Sequence, residues 1–208
     1  MFIALTLFVL AQRAPSPDCV TIGTPDPKKV FVYQRQGEGA QAYQYSQQWE
    51  DVTPTGSRVR VTRATDVIVQ TNQHRVVDDV SVIDSSASTS RNLRDKTTFR
   101  PGVIGDPIFK ACAGRTWTIP VSTASHESTQ GATHTVPSYA GTLRIVAIRE
   151  SITVPAGRFD TVRFIRSLNA EGHQTVDEYW KSIAHGVIVK HVSTLPGGTS
   201  TETLVAIR

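Results

Sequence analysis

Apolar and polar residues alternate along most of this chain with a period of two, the pattern of strands that bury one face and expose the other. The run from Glu150 to His191 carries it most clearly. Ser151 to Val154 leads into Pro155-Ala156-Gly157, where proline fixes φ and glycine tolerates positive φ, so that Phe159 to Arg166 returns as the second arm of a hairpin. Asn169-Ala170-Glu171-Gly172 marks the next reversal. Gln174 to Trp180 then reads as a strand, and Ala184-His185-Gly186 as the loop before Val187 to Val192. A closing pair, Val187 to Ser193 and Thr201 to Ile207, is joined across Leu195-Pro196-Gly197-Gly198.

Upstream, Val30 to Tyr33 reads as a strand, and Gln41 to Val52 runs on with Tyr43, Tyr45, Gln47 and Trp49 on one face. Pro54-Thr55-Gly56 reverses the chain. Arg58 to Arg63 alternates valines inward with arginines outward, a half-exposed antiparallel strand and a candidate for a charge-protected sheet edge. Val67 to Thr71 and Arg75 to Val82 are expected to pair around Asn72-Gln73-His74. Residues 84–112, rich in serine, charge, Pro101-Gly102 and Gly105-Asp106-Pro107, read as a connecting segment with one short helical turn near Asn92 to Lys96. Strands resume at Arg115 to Ile119, Ala132 to Pro137 and Gly141 to Glu150, while the serine clusters at 85–90 and 122–128 read as loops.

No window of helical length carries an i, i+3, i+4 apolar stripe outside the N-terminus. The expected fold class is therefore all-β: a curved antiparallel sheet forming an open or half-closed barrel, with a β-sandwich as the alternative. Residues 29–208 are expected to form one domain, a length that all-β units commonly reach.

Composition adds a compartment and removes some partners. Hydrophobic residues make up 39% and charged residues 19%, which is ordinary for a globular chain, and the net charge of +4 has no dense Lys/Arg run behind it. Nucleic acid is excluded as the expected partner on that ground. Met1 to Ala11 is an apolar run of about ten residues, too short for a bilayer span of roughly 20 but suited to the apolar region of a secretory signal, with a cut after Ala11. No Lys or Arg precedes it, so either the start lies upstream of Met1 or the segment is a buried strand. Residues 12–28, punctuated by Pro15, Pro17, Pro25 and Pro27, read as a linker. The localisation expected is periplasmic or secreted, with no transmembrane span in the mature chain. Cys19 and Cys112 are the only cysteines; in an exported chain the default is one disulfide closing a loop of about 90 residues, and the alternative is two buried thiols.

The chemistry sought is absent from the pattern. His74, His126, His134, His173, His185 and His191 have no metal-ligand spacing, so no metal or cofactor is expected. Alternation sends Asp177 and Glu178 to opposite faces of one strand. No nucleophile elbow occurs, and His126-Glu127-Ser128 is adjacency without triad geometry. No catalytic residue is assigned and an enzyme is not expected.

Val154-Pro155-Ala156-Gly157-x-Phe159-Asp160-Thr161, followed by Tyr179-Trp180 and Gly186-Val187-x-Val189-Lys190, with Gly114-Arg115-Thr116-Trp117 ahead of it, resembles a pattern in secreted and periplasmic bacterial proteins grouped as domains of unknown function. These look distantly similar to the LolA/LolB type of lipoprotein carrier, whose curved sheet encloses an apolar cavity. The resemblance covers about residues 112–207 and implies fold and export more than chemistry. On this reading Phe159, Phe164, Tyr179 and Trp180 are the candidate ligand-binding residues, and the partner is an apolar small molecule, a lipid or an envelope protein. The alternative is a structural or interaction module whose aromatics fill the core.

Overall fold

A computed structural model describes residues 18–208 except 40, 92, 130–133 and 171–172, with 134–139 and 170 as backbone only. The expected signal segment and the first part of the expected linker, residues 12–17, lie outside the described residues. Fourteen strands follow one another: β1 (Cys19–Thr21), β2 (Phe31–Gly37), β3 (Tyr43–Thr53), β4 (Gly56–Arg63), β5 (Asp66–Val77), β6 (Val80–Thr89), β7 (Arg94–Pro107), β8 (Lys110–Cys112), β9 (Thr116–Ser128), β10 (His134–Val154), β11 (Gly157–Ala170), β12 (His173–Ser182), β13 (Ile188–Leu195) and β14 (Gly198–Ile207).

Twelve of them form one closed antiparallel barrel, the all-β class read from the sequence with its wall fully joined. Each strand pairs with its chain neighbour, β7 pairs with β9, and β14 pairs with β2 to close the wall, Leu204 opposite Tyr33 and Glu202 opposite Arg35. Arg58 to Arg63 is accordingly no edge: β4 is paired on both sides, and Arg58 and Arg60 both meet Glu50 across the outer face. Closure removes the edge the charges were expected to guard.

One end of the barrel is plugged. β1 and β8 form a two-stranded ribbon in which Cys19 lies opposite Cys112, and the two are joined in a disulfide. Val20 and Ile22 project from this ribbon into a core with Val80, Val82, Ile104, Ile119, Leu143, Ile145, Val162 and Phe164. A second cluster at the same end gathers Phe31, Tyr33, Val154, Phe159, Trp180, Val187, Val189 and Leu204. The β10–β11 hairpin runs past the end of β12 and its tip reaches β14, Ala156 N–H donating to Leu204 O at 3.3 Å. Gly23 N–H donates to Ile183 O, and a Cβ on Gly186, whose φ is +64°, would stand 2.0 Å from Gly23 O. Residues 19–25 are thus part of the fold, where proline content alone suggested a linker.

The segment 84–112 is strand, not connection. Its inner rung, Ser57–Asn72–Ser86–Thr97–His126, is polar across five strands. Polar residues therefore face both ways there, and the alternation that marks a strand disappears; only the pleat-tolerant serines and threonines remain as a trace. Ser122, expected in a loop, is buried in β9 with its hydroxyl donating to Pro101 O. β5 also runs straight through Asn72-Gln73-His74. The turn comes at Asp78 and Asp79, with φ of 50° and 72°, the paired left-handed geometry of a tight hairpin.

Among the described residues no helix is long and apolar enough to cross a membrane. The disulfide is compatible with an extracellular or periplasmic protein.

Candidate functional site

Cross-strand partners share a face, so the register of β10 to β14, β2 and β3 fixes which side chains meet on the inner wall. One rung runs Ile145–Phe164–Tyr179–His191–Glu202–Arg35–Tyr43 across seven strands. The rung beside it, farther from the plug, runs Leu143–Arg166–Asp177–Ser193–Ser200–Gly37. Aliphatic at β10, both rungs become aromatic and charged by β12.

The rings stack. Phe164 and Tyr179 have centroids 4.9 Å apart and Tyr179 and His191 4.3 Å, while Tyr33 stacks on Tyr45 at 5.3 Å. The Arg63 guanidinium lies 3.9 Å from the Tyr43 centroid and that of Arg166 5.3 Å from Tyr179.

Around these rings runs a hydrogen-bonded network. Arg166 Nη2 donates to Tyr179 Oη at 2.6 Å and to Asp177 Oδ2 at 3.2 Å, and His191 Nε2 stands 3.1 Å from Asp177 Oδ1. Burial works to raise the pKa of Asp177, but hydrogen bonds from His191 and Ser193 and the charge of Arg166 outweigh it, and the carboxyl is held at about 2. Burial pushes the Tyr33, Tyr45 and Tyr179 hydroxyls far up, and Glu202, which accepts from Tyr45, reinforces this. One donor is left over: Arg166 Nε is buried with no acceptor.

A cavity of about 80 Å³ lies at the plugged end, between Gly23–Pro25 and the walls of β3 to β7 and β12. Lys181, 5% exposed, pairs there with Asp106 across the barrel and donates to Pro107 O at 2.8 Å. Desolvation works to raise the Asp106 carboxyl, yet the Lys181 charge and hydrogen bond bring it below its ordinary value. Trp49, in the same lining, has its indole Nε1 buried without an acceptor.

The four residues singled out from the sequence separate into two places. Phe164 and Tyr179 belong to the inner rung, with Phe164 fully buried. Phe159 and Trp180 stand on the opposite face of β11 and β12, the face of Arg163 and Glu178, and pack in the second cluster, Trp180 donating from Nε1 to Glu150 and flanked by Arg163 and Lys190, so they do not line the inner wall. None of the four lines the cavity beside Lys181. Arg166, Asp177, His191 and Glu202 were not singled out. Their signal was the same two-residue spacing as the aromatics, Phe164 with Arg166 and Asp177 with Tyr179, which puts each pair on one face. Glu178 faces the other way and meets Arg163 at 2.6 Å.

Among the described residues no three His, Cys, Asp or Glu side chains cluster in a way that could hold a metal ion. No protein-family description matches the chain, and neither a curated protein nor a solved structure shows significant similarity to it.

Proposed function

We propose that the chain is an exported, non-enzymatic binding protein that takes an amphipathic ligand on the inner wall formed by β11 to β14, β2 and β3. The ring or chain of the ligand lies against Tyr179 and Tyr45, and its oxygen-bearing group meets Arg166, with Glu202 and His191 alongside. The observation that carries this reading is the unused Arg166 Nε. A buried guanidinium donor without an acceptor costs about 1 to 3 kcal/mol, and a carbonyl, carboxylate or phosphoryl oxygen removes that cost. The cysteine pair and the apolar Met1 to Ala11 run support export.

A second reading, an envelope interaction module with a filled barrel, is favoured by the near-complete burial of Phe164, Tyr33 and Leu204 on the inner face. Native mass spectrometry and organic extraction after gentle purification separate the two. A bound amphiphile retained by the wild type and released by Arg166→Gln supports the binding protein. An empty protein whose unfolding temperature does not respond to amphiphiles returns the filled-barrel module.

A further inference from the structure

None of the residues of the Arg166 network lines the cavity beside Lys181, and its chemistry is different. Two of its buried donors bear on what could occupy it. An ammonium has three N–H groups, and Lys181 uses two, on Asp106 and on Pro107 O. Trp49 Nε1 is the other, buried without an acceptor. Val52, Ile83 and Ile108 supply apolar surface to the lining.

Volume and charge narrow the occupant. At about 10 to 15 Å³ of such space per water, 80 Å³ holds roughly half a dozen waters, or one organic molecule of similar heavy-atom count. Lys181 is already neutralised by Asp106, so an anion would bring in an uncompensated buried charge, which costs several kcal/mol. A neutral acceptor carries no such penalty.

We propose that this cavity is a binding site for a small neutral molecule bearing a strong acceptor oxygen, of the amide, ketone or sulfoxide class. The oxygen accepts from Trp49 Nε1 and Lys181 Nζ, and the alkyl part packs on Val52, Ile83 and Ile108. A neighbouring groove of about 190 Å³ shares Thr24, Pro25, Trp49 and Val52 with the cavity. Entry therefore passes between the Thr24–Pro25 strap and Trp49.

The test uses the full chain with nitrogen-15 labelled tryptophan and follows the three indole N–H resonances, that of Trp49 identified with Trp49→Phe. N-methylacetamide and dimethyl sulfoxide are titrated as neutral probes and acetate as the anionic one. The expected result is a saturable shift of the Trp49 resonance with both neutral probes and none with acetate, while Trp117 and Trp180 stay still. Val52→Phe, or Ile108→Phe if the first fails to fold, weakens the apparent affinity by at least about tenfold, and Arg158→Ala, on the exposed β10–β11 hairpin, leaves it unchanged. A Trp49 resonance that never saturates with the neutral probes overturns the proposal and leaves a water cluster in the cavity. Equal response to acetate overturns it too, since the charge argument then fails.

Discussion

The two ends of the barrel solve the same problem with different materials. At the plugged end the interior is closed by aliphatic and aromatic side chains, Phe31, Leu204, Val187 and Val189 among them, and by a strap drawn in from outside the wall. Farther along the same strands, β12 places Asp177 and Tyr179 and β11 places Arg166 on the face that Val162 and Phe164 fill nearer the plug. Stability is concentrated in the first region, because buried apolar area is non-directional, and on the proposed reading discrimination lies in the second, because a charged, ring-lined wall accepts few partners.

Substitutions can test how sharp this division is. Phe31→Ala removes a fully buried ring from the plugged end and is expected to cost about 3 to 5 kcal/mol in chemical denaturation. Cys19→Ser with Cys112→Ser frees a loop spanning 93 positions and is expected to cost about 2 to 4 kcal/mol, with hydrogen exchange rising first around Ile22 and Gly23. Equal exchange increases in β13 and β14 near Ser193 and Ser200 would show that the two ends unfold as one unit.

Asp177 gives the polar region its own pH signature. Its carboxyl titrates at about 2 in the fold against an ordinary 3.8, so the stabilisation is complete above about pH 4 and is lost as the pH falls toward 2. The lost amount is roughly 2 kcal/mol, and Asp177→Asn is expected to flatten the acid limb of the stability curve over that interval. The smallest effect belongs to neither end: Arg58→Ala, on an arginine exposed on the outer wall, is expected to change stability by about 0.5 kcal/mol or less.

How far the sequence speaks follows the same division. Wherever one face of a strand is apolar, as at Val59 in β4 or Phe159 to Arg166 in β11, alternation and turn residues locate the strand. Where the inner face is itself polar, from Ser86 through Thr97 to His126, alternation carries no signal and the strands pass for loops. The Asp78-Asp79 turn is hidden because no glycine announces it, and two aspartates between Val77 and Val80 read equally well as exposed strand positions, although aspartate is among the few side chains that tolerate positive φ. Barrel closure was not legible either. It depends on β14 meeting β2, a pairing between segments at opposite ends of the wall that no local pattern encodes. The site was half legible: periodicity put Phe164 and Tyr179 on one face, but the arginine and carboxylates between the rings looked like ordinary surface charge until the register joined them.

The pairing of β14 with β2 sets a schedule for the chain's assembly. Ser200 to Ile207 must find Phe31 to Gly37 after the intervening strands have been laid down, so during synthesis the growing sheet has two unsatisfied margins and no complete interior. A long-range contact of this kind slows folding and prolongs exposure of its partners. A ribosome stalled before residue 198 would hold a protein with nearly all of its strands and none of its enclosure.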